Sequence, residues 1–284
     1  MEFWICAVAK CEELYIREWV EWHKKIGFTH IIIGDNNRPD YPYKLYDYIK
    51  EYVDSGFVEI IDESRATQIQ PTFYNKCYRK YIDKFDYITF IDIDEFIELP
   101  KFNNNIYEYV TNDKYKNYDA IVFNCIAYND NELLYYEDKP VRERFTTIVK
   151  EKMNSCKFMM KKNVNVAHIR TSHFPIFRFD KLIEYNICDG LGNSLNYLLD
   201  KKPWMIVQLN KNDEHIKNAY ISHYLTKSTE EYIKYKTFRG EASFCPGLIK
   251  VRKYNMYYYF RFNKKTQEKM DLFDKYKIQI EQSL

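Results

Sequence analysis

Glycine and long apolar runs are scarce in this sequence, and each shortage excludes a class of protein. Only 7 of the 284 residues are glycine, and none precedes Gly27. Enzymes that make sugar nucleotides usually cradle a triphosphate in a glycine-rich first loop, so this absence argues against them. No apolar run approaches the roughly 18 residues that a membrane-spanning helix needs. Residues 1–8 carry an acid and only a short apolar stretch, so we expect neither a transmembrane span nor a signal peptide.

Cysteine pairs and excess charge are also missing. The 7 cysteines are odd in number and scattered, with no C-x-x-C motif. This pattern favours reduced thiols and a cytoplasmic protein over a disulfide framework, and it offers no paired spacing for zinc. The net charge is +2, so charge alone indicates no nucleic-acid partner.

Aromatic residues are abundant instead, at 18% of the chain with 28 tyrosines. Tyrosine combines an apolar ring with a polar tip, so it suits a wet cleft, a stacked sugar ring or a membrane interface. The excess also fits a general bias in composition, and the sequence leaves these interpretations open.

Strand and helix patterns alternate through the first 125 residues. Predicted strands cover 3–9, 28–34, 57–61, 87–92 and 120–125, and predicted helices cover 13–26, 43–53 and 72–84. Strands separated by helices of about 10–15 residues imply right-handed crossovers and a mainly parallel sheet. The predicted fold is therefore α/β, a doubly wound sheet with helices on both faces.

The pattern becomes irregular after residue 129. Short predicted strands lie at 157–161, 164–168, 205–208 and 219–225. Ser228 and Glu231 form a predicted capping box that begins a helix extending to Gly240. We predict a single domain over residues 1–245, followed by a basic, aromatic and helical appendage over 246–284.

Three carboxylates follow the most apolar strand, at Asp92, Asp94 and Glu95. Side chains alternate along a strand, so we expect Asp92 and Asp94 to project to one side, roughly 6–7 Å apart. Open α/β sheets bind ligands at the carboxyl ends of their strands. A divalent cation that carries a diphosphate would relieve the repulsion between the two acids, and Mn²⁺ and Mg²⁺ prefer such oxygen ligands. An acidic turn after a core strand is the alternative.

Polar residues of neighbouring elements are expected beside these acids. Lys10 and Asp35 follow the first two strands, whose loops converge on the acidic strand in such a sheet. Asp35 suits the imide N–H of uracil, and Lys10 suits a phosphate. Gln70 and Arg79 lie on the helix before the acidic strand, where Gln70 would border a nucleotide pocket and Arg79 would neutralise a phosphate. Solvated or turn-forming roles remain open for all four.

The 6 histidines add candidate metal ligands. A neutral imidazole would join a cation held by Asp94. His223 comes near the end of an apolar strand and before the capped helix, so its backbone is fixed on both sides. His173, in a predicted loop, is the alternative ligand. A hydrogen-bonded core histidine is the other interpretation.

Residues 250–265 are basic and aromatic, with no acidic side chain. Such a segment suits the surface of a membrane with anionic lipid, and it also suits single-stranded nucleic acid. A packed aromatic helix with a solvated basic edge is the alternative.

Taken in order, these blocks resemble the family 2-like and family 92-like glycosyltransferases of the GT-A fold. The resemblance lies in residues 9–14, 18–23, 27–30, 35–36, 70–77, 91–96, 223–228, Glu231, Lys236 and 239–240. It is good over residues 3–100, patchy from there to residue 180, and good again over residues 219–240. Cys11 departs from the family pattern, because an Asn is common at that position.

The resemblance implies metal-dependent transfer of a sugar from a nucleotide diphosphate sugar, usually a UDP-sugar, to a glycan or lipid-linked acceptor. Residues 1–125 would be the nucleotide-binding half and 126–245 the acceptor half of a GT-A-like catalytic domain. Asp92 would hold the ribose or the metal, Asp94 the metal, and His223 would be the third ligand. The metal would be Mn²⁺ or Mg²⁺, acting as a Lewis acid on the leaving diphosphate.

Such families usually invert the anomeric centre, which requires a carboxylate to deprotonate the acceptor hydroxyl. Asp189 and Glu95 are the candidates for this general base, with Glu241 as a further one. We expect the protein to work in the cytoplasm, with peripheral contact to an anionic membrane through residues 250–265 and without nucleic acid.

Two other functions compete with this interpretation. A phosphohydrolase of the D-x-D-x-T type fails because Phe96 replaces the hydroxyl residue and the motif is not near the first strand. A non-catalytic carbohydrate-binding protein, with the aromatic surface as its platform, remains the alternative from a different class.

Overall fold

Strands and helices alternate along the chain, as the sequence predicted. The computed structural model describes residues 1–65, 69–149, 155–162, 164, 166–169, 173, 175–177, 185–196, 213–237 and 256–281. The first elements are β1 (Phe3–Ala9), α1 (Ile16–Lys25), β2 (His30–Asp35), α2 (Leu45–Asp54), β3 (Val58–Asp62), α3 (Ile69–Tyr81), β4 (Tyr87–Phe90), β5 (Glu95–Glu98) and, after a short 3₁₀ turn (Pro100–Phe102), α4 (Ile106–Thr111).

The later elements are shorter. They are β6 (Ala120–Ala127), α5 (Val141–Arg144), β7 (Cys156–Lys161), β8 (Val166–Ile169), β9 (Pro175–Phe177), β10 (Ile187–Asp189), α6 (Asp213–Asn218), β11 (Tyr220–His223), α7 (Thr229–Glu231), a π-helix (Tyr232–Thr237), α8 (Met256–Tyr259) and α9 (Gln267–Glu281). The strand predicted at 205–208 lies outside the described residues.

Within the described residues the main sheet has nine strands, in the order β3-β2-β1-β4-β7-β6-β11-β5, with β10 pairing β6 beside this path. Strands β3, β2, β1 and β4 are mutually parallel, and β6, β11 and β10 form a second parallel group. Two antiparallel strands, β7 and β5, complete the sheet. The predicted α/β fold with a mainly parallel sheet is therefore confirmed.

Apolar side chains cover both faces of this sheet, as β1 illustrates. Ile5 and Ala7 contribute to one apolar cluster, whereas Cys6 and Val8 contribute to the other, because successive side chains of a strand point to opposite faces. Helices α1 and α4 pack in the first cluster, and α3 packs in the second. The result is a three-layer arrangement that exposes the ends of the strands rather than their faces.

Two tryptophans of α1 fix the position of β5. The indole N–H of Trp19 donates to the carbonyl of Glu95 at 2.8 Å, and that of Trp22 donates to the carbonyl of Ile97 at 2.9 Å. Both indole rings are buried. Gly27 ends the helix region with a φ of +103°, a left-handed conformation that glycine adopts without a steric cost. Helix α1 thereby anchors the strand that begins with Glu95.

The carboxylates of residues 92–95 do not lie on one extended strand, and this expectation was wrong. Strand β4 ends at Phe90, and β5 begins at Glu95. The intervening residues form a turn in which the Glu95 N–H donates to the Asp92 carbonyl at 3.1 Å. Strand alternation therefore does not set the directions of Asp92 and Asp94, which turn to different partners.

The described part of the predicted C-terminal appendage packs on the rest of the chain. Asp130 accepts hydrogen bonds from the Tyr259 hydroxyl and from the buried ammonium of Lys269. The Asp130 N–H donates to Asn263 Oδ1 at 2.7 Å. The Tyr276 hydroxyl donates to Glu230 at 3.3 Å, next to α7. Residues 256–276 thus contact both the segment that follows β6 and the segment that follows β11.

Among the described helices, none has both the length and the apolar character required to cross a membrane.

Candidate functional site

The acidic turn between β4 and β5 closes on itself through reciprocal hydrogen bonds. The Asp92 N–H donates to Glu95 Oε2 at 2.9 Å, and the Glu95 N–H returns to the Asp92 carbonyl. The turn lies at the carboxyl end of β4, beside β1 and β7. Its backbone therefore holds three carboxylates in a fixed order at the edge of the sheet.

Asp92 is held by an amide and an ammonium. Gln70 Nε2 donates to Asp92 Oδ1 at 2.6 Å, and Lys157 Nζ donates to Asp92 Oδ2 at 2.8 Å. Burial raises the pKa of Asp92, but the positive charge of Lys157 outweighs it and leaves the pKa below its ordinary value. The side chain keeps 35% of its surface exposed, so it is an anion that a ligand can approach.

Asp94 points to the other side of the turn. Its Oδ2 accepts a hydrogen bond from the Lys236 ammonium and lies 3.6 Å from His223 Nε2. Burial raises the pKa of Asp94, but Lys236 and then His223 lower it, and the net pKa is well below the ordinary value. The Asp94 carbonyl accepts the Tyr224 N–H at 2.9 Å, which ties the turn to the end of β11.

Glu95 lies beneath these groups. Its side chain is 1% exposed, with Oε2 3.0 Å from Lys157 Nζ and Oε1 3.7 Å from His223 Nδ1. Burial raises the pKa of Glu95 above its ordinary value despite the nearby ammonium of Lys157. Glu95 therefore supports its own turn and faces the imidazole of His223.

His223 lies between two carboxylates because β5 and β11 are antiparallel neighbours. His223 pairs directly with Glu95 in this register. Its Nδ1 is buried and, within the described structure, makes no hydrogen bond. The imidazole thus faces Asp94 with one nitrogen and Glu95 with the other, each at a distance longer than a hydrogen bond.

The segment after β11 has an unusual backbone that directs Lys236 to Asp94. Lys227 has a φ of +55°, a conformation uncommon outside glycine. Ser228 and Glu231 form the predicted capping box, and a π-helix (Tyr232–Thr237) follows α7. Single π-turns occur frequently at functional sites. The helix predicted to continue to Gly240 is π-helical up to Thr237, and residues 238–240 lie outside the described residues.

The loops after β1 and β2 meet beside this turn, as expected. Asp35 pairs with Ala9 in the register of the two strands, and the Asn36 N–H donates to the Ala9 carbonyl at 2.9 Å. The Cys11 N–H donates to Asn37 Oδ1 at 2.7 Å, at a backbone φ of +52°. Lys10 lies in the same loop and is partly exposed.

Asp35 has a carboxyl group that the structure partly buries. Burial raises the pKa of Asp35, while the hydrogen bond from the Asn37 N–H, 3.0 Å long, lowers it, and the net pKa is above the ordinary value. Asp62 of β3, which pairs with it in register, adds a like charge nearby. A donor group from a ligand would relieve this arrangement.

The structure brings together Gln70, Asp92, Asp94, Glu95 and His223, and it places Lys10 and Asp35 at the neighbouring strand ends. Arg79 is exposed and lies nine residues beyond Gln70 on α3, which is about 13 Å along the helix axis. Its predicted contact with a phosphate therefore has no support from this arrangement.

Asp189 makes its contacts in a different place. Its Oδ1 accepts the N–H groups of Leu191 and Asn193 at 2.9 and 2.8 Å, and its Oδ2 accepts Asn193 Nδ2 at 3.0 Å. His215 Nε2 lies 3.8 Å from Oδ2. These contacts tie the Asp189 carboxylate to its own turn and to α6 rather than to Asp92 or Asp94, and its role as general base stays a prediction. Glu241 lies outside the described residues.

His173 is close to the site but is oriented by the backbone. Its Nδ1 lies 2.9 Å from the Cys156 carbonyl, one residue before Lys157. Burial, and then the positive charge of Lys157, lower the pKa of His173 to about 4. The imidazole is therefore neutral at physiological pH, while His223 is the histidine that lies directly beside Asp94.

Lys157 and Lys236 had no predicted role. Lys157 begins a predicted strand with three apolar residues at its centre and a lysine at each end, so its charge did not distinguish it from Lys161. Lys236 lies in the block that resembles the family, but its contact with Asp94 spans 142 residues of sequence. Neither contact follows from local pattern, because each depends on how distant strands come together.

The fit of a divalent cation can be tested on the side chains themselves. Among the described residues, no group of three or more His, Cys, Asp or Glu side chains is arranged to hold a metal ion. Asp94 and His223 nevertheless form a two-residue pair whose carboxylate and imidazole chemistry suits Mn²⁺. Glu95 faces the other nitrogen of His223, which is how a carboxylate commonly orients a ligating histidine. Asp92 would have to release Gln70 or Lys157 to join them.

Comparison with known protein families identifies the family to which this chain belongs. A model of glycosyltransferase family 92 matches residues 5–237. The protein therefore belongs to glycosyltransferase family 92. A curated relative, a glycosyltransferase family 92 protein of Ricinus communis, is 27% identical over 99 residues, which are 35% of this chain and 17% of that protein.

Solved structures similar to this one include two of TarS from S. aureus. TarS 1–349 in complex with UDP gives a TM-score of 0.40 and 10% identity, over 79% of this chain and 58% of that one. TarS 1–349 gives a TM-score of 0.39 and 10% identity, over 82% and 63% respectively. The chain thus spans less than two thirds of the length of each of these relatives.

Proposed function

We propose that this protein transfers a sugar from a nucleotide diphosphate sugar to a glycan or lipid-linked acceptor. UDP-sugars are the first candidates for the donor, and the reaction inverts the anomeric centre with the help of a divalent cation. The observation that carries the proposal is the pairing of Asp94 with His223 and Lys236 at the carboxyl end of a parallel strand. This cluster lies within the span that the family 92 model matches.

The nucleoside of the donor would lie over the loops after β1 and β2. Asp35 offers a carboxylate for a base N–H, and its raised pKa reflects the lack of a compensating donor strong enough to offset burial. Asp92, which Gln70 holds from one side, keeps an exposed edge for a ribose hydroxyl. Lys10, in the loop after β1, is the cation that would contact the phosphates.

The diphosphate would lie near Asp94, where cations are concentrated. The Lys236 ammonium touches Asp94, and Lys227 is close enough to lower the pKa of the same carboxyl group. Positive charge that is fixed in place before the reaction stabilises the charge that develops on the leaving group. A cation held by Asp94 and His223 would supply Lewis-acid stabilisation of that leaving diphosphate.

The transfer itself requires a base on the acceptor side. The acceptor oxygen forms a bond to the anomeric carbon, the bond from that carbon to the diphosphate oxygen breaks, and the electron pair leaves with the diphosphate. The base takes the acceptor proton. Glu95 is the candidate within the cluster, and burial raises its pKa above the ordinary value, which is the direction that strengthens a base.

Peripheral contact with an anionic membrane in the cytoplasm remains part of the proposal. Tyr257 is 77% exposed, and Lys264 and Lys265, further along the same segment, are exposed as well. Tyr259 and Phe262 are buried, so only part of the aromatic segment is available to lipid. Binding to vesicles that contain anionic lipid, lost at high salt, is the expected result. Equal recovery with neutral vesicles, or none with either, would leave the segment as a packing element.

Thermal unfolding with nucleotides tests the donor class. UDP with Mn²⁺ should raise the melting temperature more than GDP or dTDP with Mn²⁺, because a ligand that binds only the folded state stabilises it by mass action. Sugar nucleotides of the same base should then be hydrolysed slowly in the presence of Mn²⁺. A protein that responds to none of the three nucleotides would contradict the proposed function.

A further inference from the structure

Lys157 is a fully buried cation at the centre of the acidic turn. Its side chain is 0% exposed and comes from β7, the antiparallel strand between β4 and β6. The ammonium lies 2.8 Å from Asp92 Oδ2 and 3.0 Å from Glu95 Oε2. One charge therefore joins two carboxylates whose residues stand at the two ends of the turn.

Burying a lysine ammonium in this position costs free energy unless carboxylates pair with it. Burial lowers the pKa of Lys157, but Asp92 and then Glu95 raise it above the ordinary value, so the group stays charged. Without it, Asp92, Asp94 and Glu95 would repel one another within one turn. The site thus carries its own counter-charge before any ligand arrives.

The two contacts reach different parts of the site. Asp92 shares its other oxygen with Gln70 and keeps the edge exposed to the donor. Glu95 faces Nδ1 of His223, whose other nitrogen faces Asp94. The Lys157 ammonium therefore holds Asp92 and Glu95 directly, and Glu95 in turn faces His223.

We propose that Lys157 is a positioning residue of the donor site. It holds Asp92, the carboxylate on the ribose side, and Glu95, the carboxylate that faces His223, at fixed positions relative to each other. The inference rests on the proposed function and adds a residue to it. Lys157 does not touch the donor. It acts by setting the geometry of the groups that do, as the outer partners of binding groups commonly do.

The test compares Lys157→Met with Lys161→Met. Both lysines lie on β7, but the Lys161 ammonium donates to the Lys116 carbonyl at 2.7 Å and contacts no carboxylate of the acidic turn. We expect Lys157→Met to weaken UDP binding about 10- to 100-fold, measured by calorimetry with and without Mn²⁺, whereas Lys161→Met should bind like the wild type. A merely structural lysine would lower the melting temperature and leave the affinity of the folded protein unchanged.

A second variant covers the case in which Lys157→Met does not fold. Lys157→Met combined with Glu95→Gln removes one cation and one anion together, so the net charge of the buried cluster is preserved. The double variant should bind UDP at least about 10-fold more weakly than Glu95→Gln alone, because Asp92 has lost its anchor. Equal affinity in these two variants would overturn the inference.

The outcomes also separate this inference from the proposed function. Wild-type protein that binds no nucleotide would overturn both. Wild-type binding that Lys157→Met leaves intact would overturn only the positioning role of Lys157.

Discussion

His223 and His173 differ in what orients them, although both imidazoles lie near the acidic turn. His223 stands between Asp94 and Glu95 on paired strands, at 3.6 and 3.7 Å. His173 has one nitrogen against the Cys156 carbonyl and a pKa lowered to about 4, first by burial. His223 thus faces two carboxylates at measured distances, which is the arrangement expected of a metal ligand and its orienting partner.

This difference gives a prediction about Mn²⁺. His223→Ala should weaken the Mn²⁺ dependence of UDP binding by about 10-fold or more, because it removes one of two proposed ligands. His173→Ala is the matched control and should leave that dependence unchanged. The midpoint of a Mn²⁺ titration, followed by the thermal shift with UDP, measures both. A larger effect in His173→Ala would transfer the ligand role to that residue.

The sequence identified the acidic residues of the site better than the residues that bind them. Asp92, Asp94 and Glu95 follow an apolar run, and that local pattern was enough to mark them. Lys157 and Lys236 come from segments 65 and 142 residues away from the acids that they bind. A contact of that kind depends on the whole sheet, so a search of neighbouring residues does not find it.

The element that carries Lys236 depends on a cap and on a buried ion pair. Ser228 Oγ donates to Glu231 Oε2 and accepts the Glu231 N–H. Arg144 donates to both oxygens of Glu231 at 2.7 and 3.0 Å, and the two side chains are each 1% exposed. Tyr15 donates to the same carboxylate at 2.8 Å. Glu231 thus joins the start of the π-helical segment to α5 and to the residue that precedes α1.

Loss of this cap should affect stability and binding together. Ser228→Ala should lower the free energy of unfolding by about 1 kcal/mol, as for other caps, and weaken UDP binding because Lys236 loses its support. Asn105→Ala is the control, since Asn105 caps α4 by accepting the Glu108 N–H at 3.1 Å. Urea unfolding should give similar losses for both variants. Equal UDP affinity in the two would contradict the proposed link between the cap and the site.

Helix caps and helix ends were predictable from the sequence, but backbone irregularities were not. The Ser228–Glu231 box and the end of α1 before Gly27 follow from residue identity. The turn at Asp92–Asp94 and the π-helix do not, because side chains from other strands determine them. Strand β7 was found as a strand, but its antiparallel insertion between β4 and β6 has no local signal.

For the whole molecule, a buried histidine makes stability depend on pH. His23 is 0% exposed, with Nδ1 2.8 Å from the Trp19 carbonyl and Nε2 3.4 Å from the Ile97 N–H. Burial lowers its pKa from 6.5 to about 3. Between these values the unfolded state binds the proton and the folded state does not, so the free energy of unfolding falls as the pH falls.

Lowering the pH from 7 to 5 should therefore cost roughly 2 kcal/mol through His23 alone. Urea unfolding at several pH values measures the slope. His23→Gln should reduce the slope by the share of His23. His30→Gln should reduce it less, because burial also lowers the pKa of His30 but its imidazole is partly exposed. His173 adds to the slope in all three proteins. The same slope in His23→Gln and in wild type would show that other groups control the acid response.

The fold as a whole was the most predictable feature. The five strands predicted in the first 125 residues, most of them separated by helices, indicated the α/β class, because periodicity and helix ends depend on local sequence. The order in which the later strands join the sheet was harder to predict from the sequence. Strands β5, β7 and β10 join the sheet through pairings that irregular loops permit but do not specify.

The most direct test of the account is donor turnover by Asp94→Asn, compared with Asp113→Asn as an exposed control that pairs with Lys116. Mn²⁺-dependent hydrolysis of the preferred sugar nucleotide should fall by about 10²–10³-fold in Asp94→Asn, because several kcal/mol of leaving-group stabilisation depend on that carboxylate. Circular dichroism should show an intact fold, and Asp113→Asn should have wild-type activity. Full activity in folded Asp94→Asn would contradict the central claim that this carboxylate anchors the donor diphosphate.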